Sequence, residues 1–186
     1  MKVAALGPQD AGTIAELSNR LYGEPFRQPV SDLKHNLARA QSRGRNFSIG
    51  LYDDRGRLRG YLLAWIQRSL VQNASDQVLL VEDCCMDPDC TPYFIHMVEC
   101  ILQALDANDR YDCPIETVVN PEGLDLVAEH EGGFAELGYI PVASHQYVDP
   151  VLGCTMTWLR YVPQLQESGQ EAPELEDSVS FGVARY

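Results

Sequence analysis

The strongest constraint on the fold is a pair of apolar runs, at 46–52 and 58–67, that are separated by a short turn. The turn reads Asp53-Asp54-Arg55-Gly56, and its glycine can adopt the left-handed backbone conformation that tight hairpin turns need. The pattern predicts a β-hairpin, so we expect an antiparallel sheet in the first half of the chain. A third strand is predicted at 78–86, where Asp87-Pro88-Asp89 ends a run rich in valine and leucine.

The remaining apolar residues show helical spacing in some segments and strand-like runs in others. Helices are predicted at 9–22, about 31–44, 92–105 and 122–137. Further strands are predicted at 115–119, 139–148 and 154–162. The order is two helices, three strands, a helix, a strand, a helix and two strands, which predicts an α+β domain.

Capping residues support the predicted helix ends. Asp10 is a candidate N-cap of the first helix, and Thr91 is the N-cap of the third, with Pro92 as its first residue. Positive side chains are favourable near a helix C-terminus, which suits the three arginines at the end of the second helix: Arg39, Arg43 and Arg45.

Charge restricts the classes of partner. The 186 residues contain 14 Lys and Arg against 27 Asp and Glu, a net charge of −13. This sign disfavours nucleic acid and anionic membrane surfaces as partners. It favours a cationic small amine or a basic protein surface.

Length and composition predict one folded domain, at 1–163, followed by an acidic, flexible tail at 164–186 with five acids and one arginine. The apolar start of the chain is broken at Gly7-Pro8 and there is no long apolar run, so we predict a cytoplasmic protein. The six cysteines form no C-x-x-C pair, which predicts reduced thiols and no metal site.

Two segments carry a resemblance to a known family. Residues 79–89, LLVEDCCMDPD, resemble the fourth strand of the GNAT superfamily of acyl-CoA N-acyltransferases, which often has an acidic pair followed by Asp-Pro. Residues 133–139, GFAELGY, resemble a late stretch of the same family, and the order of elements from 3 to 162 is also similar. The resemblance implies a mixed, mostly antiparallel central sheet flanked by helices.

The resemblance also implies a position for acetyl-CoA, between the fourth strand and the next helix. The residues there are Cys85, Met86, Thr91, Tyr93, Phe94, Ile95 and His96. In the family this loop has an Arg or Gln and small residues, whose backbone N–H groups approach the pyrophosphate. Here Pro92 lacks an N–H, Phe94 and His96 are bulky, and no Lys or Arg occurs in 69–109. We therefore expect acetyl-CoA binding to be weak or lost.

The catalytic residues implied by the resemblance are the acidic pair, Glu82 and Asp83, as a general base or as the binding site of a cationic amine. Successive residues alternate across a strand, so only one of them is expected to face the active site. The family's late tyrosine, which protonates the departing thiolate, corresponds to Phe134, which has no proton to give. Tyr139 and Tyr93 are alternative donors.

Two functions are consistent with these features. In the first, the fold has lost cofactor binding and acts as a binding or regulatory module. In the second, the protein is an active acyl-CoA-dependent N-acyltransferase that acts on a cationic amine. The late strands of the family often pair between subunits, so residues 139–162 are also expected to be able to form a homodimer.

Overall fold

The computed structural model describes residues 1–23, 26–71, 76–108 and 113–164. Its strands are β1 (Lys2–Ala5), β2 (Ile49–Tyr52), β3 (Leu58–Arg68), β4 (Gln77–Met86), β5 (Ile115–Val119), β6 (Tyr139–Val148) and β7 (Thr155–Pro163). Its α-helices are α1 (Ala11–Leu21), α2 (Val30–Ser42), α3 (Phe94–Asp106), α4 (Pro121–Glu129) and α5 (Glu131–Glu136). Short 3-10 helices at Pro8–Asp10 and Pro88–Tyr93 precede α1 and α3.

The strands described form one sheet in the order β1-β2-β3-β4-β5-β7-β6. Neighbouring strands are antiparallel except for β4 and β5, which are parallel. This β4–β5 pairing covers Leu79–Val81 against Ile115–Thr117, although both strands continue beyond it. The two strands therefore separate toward their C-terminal ends and open a gap in the sheet.

The sheet separates two apolar cores. Neighbouring residues of β3 contribute to both cores, because successive side chains of a strand point to opposite faces. Leu62 packs with Met97 and Ile101 of α3, and Leu63 packs with residues of α1 and α2. Helices thus cover both faces of a mostly antiparallel mixed sheet, and the predicted α+β architecture is confirmed.

The structure adds one strand and divides one helix. The edge strand β1 pairs antiparallel with β2, and its four residues carry too little pattern to be predicted. The predicted helix at 122–137 is wrong as a single element, because it is interrupted at His130, between α4 and α5. Gly138 has φ +78° and ends α5, as a left-handed glycine commonly does.

One predicted helix cap is wrong, and another is right in position only. Thr91 and Pro92 lie inside a 3-10 helix, where the Thr91 hydroxyl donates to the Pro88 carbonyl, and α3 begins at Phe94. Asp10 does occupy the N-cap position of α1, as predicted, but its side chain makes no capping hydrogen bond to that helix. Its carboxylate instead accepts the Gly7 N–H at 2.8 Å, which closes the short helix before α1.

The predicted tail, 164–186, lies outside the described residues except for its first residue, so the domain boundary stays a prediction. None of the helices in the described ranges has the length and apolar character needed to cross a membrane.

Candidate functional site

A cavity of about 320 Å³ lies where β4 and β5 separate. Its apolar wall is formed by β4, β5, α3 and α4 through Leu79, Val98, Ile101, Ile115 and Val127. The segment between α1 and α2 adds polar groups, and β4 adds the carboxyls of Glu82 and Asp83. A concave apolar cavity with a few converging polar groups is typical of a small-molecule site.

A β-bulge in β4 determines how the two carboxyls are presented. Leu63 of β3 pairs with Asp83, and Ala64 pairs with Val81, so Glu82 is the extra residue. A bulge interrupts the alternation of side chains, and both carboxyls therefore reach the α1–α2 side of the sheet and line the same cavity. The expectation that only one of them would face the site is wrong for this reason.

The two carboxyls differ in their hydrogen bonds. Asp83 Oδ2 accepts the Tyr61 hydroxyl at 2.5 Å and Gln28 Nε2 at 2.6 Å. Burial raises the pKa of Asp83, and these two donors oppose the rise. Asp83 is thus a fixed carboxyl whose orientation is set by its neighbours.

Glu82 has no such hydrogen bonds among the described residues, and its environment favours the protonated form. Burial raises the pKa of Glu82 to about 7, with a further contribution from the charge of Asp83 and an opposing one from Arg39. A carboxyl with this pKa populates both protonation states near neutral pH, which is the property that a general base requires.

Aromatic rings form another wall of the cavity. Phe134, the residue that corresponds to the family's late tyrosine, lines this wall. Its ring is edge-on to Phe94, with 6.0 Å between ring centroids, and stacked on Tyr161, with 4.7 Å between ring centroids. Tyr161 therefore brings a phenol to the wall where Phe134 has none. Of the two predicted alternatives, the Tyr139 hydroxyl donates to the Cys113 carbonyl at 3.1 Å, and Tyr93 is exposed outside the cavity.

The residues predicted to bind acetyl-CoA are spread over several environments. Phe94 lines the cavity, and Ile95 contacts α5 at Gly133. Cys85 and Met86 are buried in opposite cores, and Thr91 lies in the 3-10 helix. His96 is exposed, with Nδ1 at 3.4 Å from Glu99 Oε2. The role of this set in cofactor binding stays a prediction.

The loop before α3 has several of its polar groups bonded within the protein. The Phe94 N–H donates to the Thr91 carbonyl, and the 3-10 helix before it begins at Pro88 between two aspartates. Those aspartates already hold arginines: Arg59 donates to Asp87 at 2.5 Å and to Asp89 at 2.9 Å, and Arg20 donates to Asp87 at 2.8 Å. The cations that contact this loop are thus paired within the protein.

Two cysteines follow the carboxyls in β4. The six cysteines are free, and burial raises the pKa of Cys84 and of Cys85, which favours unreactive thiols. Across the described part of the chain, no group of three or more His, Cys, Asp or Glu side chains is placed to hold a metal ion.

No protein-family model matches the sequence, and no curated protein matches it. Solved structures do match. Naa20 of Chaetomium thermophilum, in complex with a bisubstrate analogue, has a TM-score of 0.62 at 15% identity, covering 88% of this chain and 86% of that one. A GNAT superfamily phosphinothricin acetyltransferase from Sinorhizobium meliloti, in complex with AcCoA, has a TM-score of 0.60 at 12% identity, with 93% of each chain covered.

A third match is GphF, a GNAT-like decarboxylase in complex with isobutyryl-CoA, with a TM-score of 0.57 at 13% identity, covering 87% of this chain and 99% of that one. At these identities the similarity establishes the architecture and leaves the reaction to be argued from the site. The motifs at 79–89 and 133–139, the gap between β4 and β5 and these matches lead to one conclusion: the chain has the fold of the GNAT superfamily.

Proposed function

We propose that the protein transfers an acyl group from an acyl thioester to an amine, with Glu82 as the general base. The observation that carries the proposal is the pair of carboxyls on one side of the β4 bulge, in the cavity at the gap in the sheet. The phosphinothricin acetyltransferase among the matched structures supports the reaction class, whereas GphF is a GNAT-like decarboxylase, so the fold alone does not select the reaction.

The chemistry divides between the two carboxyls. Together they favour a cationic amine in the cavity, because a bound cation stabilises the ionised form of both carboxyls in a partly dehydrated site. Glu82 first takes one proton from the bound ammonium, and the neutral nitrogen then has the lone pair that attacks the thioester carbonyl. The nitrogen gives its second proton to water as the amide forms. The C–N bond forms, the C–S bond breaks, and the thiolate leaves. Asp83 keeps its fixed orientation throughout, since Tyr61 and Gln28 hold it.

The departing thiolate needs a proton, and Tyr161 is the candidate donor. It lines the same cavity and stacks on Phe134, the position at which the family motif has its tyrosine. Burial raises the pKa of Tyr161, so its phenol is protonated at neutral pH and can donate.

We expect the acyl donor, a thioester, to be bound mainly through its acyl-thioester end. The apolar walls of the cavity can hold an acyl chain. The loop before α3 is less suited to a pyrophosphate, because it presents carboxylates, and the arginines beside them are already paired with those carboxylates. We therefore expect the nucleotide part of acetyl-CoA to add little affinity. S-acetyl-N-acetylcysteamine, which has the thioester without the nucleotide, should react with a kcat/KM within about tenfold of that of acetyl-CoA, a difference of about 1.4 kcal/mol.

The same loop favours a second candidate, a binding module that takes an amine ligand and performs no transfer. The loop's paired arginines and the phenyl ring of Phe134 are the observations that support it. In this case the cavity and its carboxyls are a receptor site, and the carboxyls stay bound to the amine without removing a proton.

Thiol release in the presence of a panel of amines distinguishes the two candidates. We expect the wild-type protein to release thiol from both thioesters, and Glu82→Gln to lower the rate at least about a hundredfold, the lower range of general-base effects. Glu16→Gln, which changes an exposed carboxyl of α1, is the matched control and should keep the full rate. Amine binding by calorimetry without any thiol release would contradict acyl transfer and favour the binding module.

A further inference from the structure

Glu82 lines three adjacent cavities. Besides the large one, a second cavity of about 220 Å³ lies between α2 and β3 and includes Gln28, Asn36 and Trp65 in its wall. A third, of about 60 Å³, also includes Asn36 and Trp65. We call the third the arginine cavity, because its remaining wall includes Arg39, Arg43 and Arg45. The three cavities thus meet at one side chain, Glu82, which lines the acyl site and the arginine cavity alike.

Local structure brings the three arginines together. Arg39 and Arg43 are four residues apart on α2 and its C-terminal cap, so they lie on one side of the helix. Gly44, with φ +60°, then reverses the chain, and the Arg45 N–H donates back to the Ala40 carbonyl at 3.0 Å. The Arg45 carbonyl accepts the Ile66 N–H of β3, also at 3.0 Å. Arg45 therefore borders the cavity from the side opposite α2.

The charge of this cluster is unusual for the chain. The protein has 14 Lys and Arg and a net charge of −13, yet three arginines share one small cavity. Among the described residues, Arg20, Arg57, Arg59 and Arg160 each form an ion pair with a carboxylate, whereas Arg39, Arg43 and Arg45 form none with a described carboxylate. The helix C-terminus explains a preference for cations on α2, but it does not explain why Arg45 converges on the same cavity.

We propose that the arginine cavity binds the anionic group, a carboxylate or a phosphate, of the same ligand whose amine meets Glu82 and Asp83. Guanidinium groups match both anions through paired N–H donors. The acceptor is then a zwitterion of the amino-acid type, with its amine at the carboxyls and its anionic group at the arginines. The inference rests on the proposed function for the fate of the amine, but anion binding can be measured without any acyl donor.

Paired probes isolate the contribution of the negative charge. We would measure the binding of β-alanine and of its amide, and of phosphoethanolamine and ethanolamine, by NMR titration at low salt without thioester. At least one anionic probe should bind tenfold or more tightly than its uncharged counterpart. The pair that shows the larger difference identifies the anion as carboxylate or phosphate.

Variants locate that contribution. Arg43→Gln and Arg45→Gln should each remove most of the difference within the pair. Arg68→Gln, at an exposed position of β3 that lines none of the three cavities, is the control and should preserve it. Thermal melts confirm that the variants are folded. Three results would each overturn the inference. The two members of both pairs bind equally, no probe binds at all, or Arg43→Gln and Arg68→Gln have equal effects.

Two further outcomes separate this inference from the proposed function. Anion-dependent binding without thiol release would contradict acyl transfer and support the arginine cavity. Thiol release with no preference for amines that carry an anionic group would support acyl transfer and overturn the arginine cavity.

Discussion

Phe134 and Tyr161 stack with their ring centroids 4.7 Å apart and their planes 18° from parallel, in the wall of the cavity between β4 and β5. The family motif places a proton-donating tyrosine at the position of Phe134, and the structure supplies a phenol from the adjacent ring.

Tyr161→Phe is therefore expected to slow thiol release at least about tenfold, because the thiolate then leaves without a positioned acid. The melting temperature should change little, since the stacked ring remains. Phe134→Tyr in the same chain should restore part of the rate. An unaltered rate in the single variant would exclude Tyr161 as the donor.

The raised pKa of Glu82 has a consequence for stability. A carboxyl with a pKa of 4.5 when unfolded and about 7 when folded binds its proton more tightly in the folded state. The free energy of unfolding thus falls as pH rises from about 4.5 to 7, and then levels off. The pKa difference corresponds to on the order of 3 kcal/mol above pH 7.

Glu82→Gln removes the loss of stability that the ionisation of Glu82 causes above pH 7. Urea unfolding at pH 8 should show the variant to be more stable than the wild type by up to about 3 kcal/mol, and at pH 4 the two should be nearly equal. The same protein should lose transfer activity. Glu16→Gln should match the wild type at both pH values, and a Glu82→Gln variant with no gain at pH 8 would show that Glu82 ionises freely.

Neighbouring glycines at the start of α5 provide a matched pair. A Cβ on Gly133 would lie 2.5 Å from Ile95 Cγ1, whereas a Cβ on Gly132 would meet no atom within 4 Å. Gly133→Ala should therefore destabilise the fold by about 1–3 kcal/mol through overpacking against α3. Gly132→Ala should be neutral or stabilising by up to about 1 kcal/mol. Equal melting temperatures for the two variants would contradict the close α3–α5 contact.

A buried ion pair joins β5 to β7. Glu116, fully buried, accepts Arg160 NH1 at 2.8 Å, the Ser69 hydroxyl at 2.5 Å and the Leu70 N–H at 2.8 Å. Arg160→Met leaves this carboxylate without its cation, and urea unfolding at pH 7 should show a loss of about 3–5 kcal/mol. Arg57→Met breaks a pair in which the arginine is 62% exposed, and Asp53 keeps its backbone hydrogen bonds, so stability should change far less. Similar losses of stability in Arg160→Met and Arg57→Met would contradict the importance of burial for the first ion pair.

Most of the elements follow from local pattern. The strand at Ile115–Val119 and the hairpin turn at Gly56, φ +73°, carry strong periodic or turn signals and lie where the sequence predicts them. The strand β1 was missed because four residues, KVAA, become a strand through pairing with β2. The break at His130 was missed because the apolar spacing of 122–137 continues through it.

The sequence points to the acidic pair of the candidate site but not to the geometry around it. The acidic pair can be identified from the motif at 79–89, but the bulge that turns both carboxyls to one side depends on the β3 register, with Leu63 opposite Asp83. Likewise, Arg39, Arg43 and Arg45 suit a helix C-terminus in the sequence, and only the reversal at Gly44 places them around one cavity with Glu82. Such relations arise from tertiary contacts between segments distant in the chain.

The pKa of the Glu82 side chain is the most direct test of the proposed chemistry, because a general base in this cavity must be available near neutral pH. It can be measured by ¹³C NMR titration of carboxyl-labelled glutamate, with the signal assigned from Glu82→Gln. We expect a pKa of about 7 in the wild type, and a lower value in Asp83→Asn, where the neighbouring charge is gone. A wild-type pKa near 4.5 would contradict the assignment of Glu82 as a base poised for amine deprotonation.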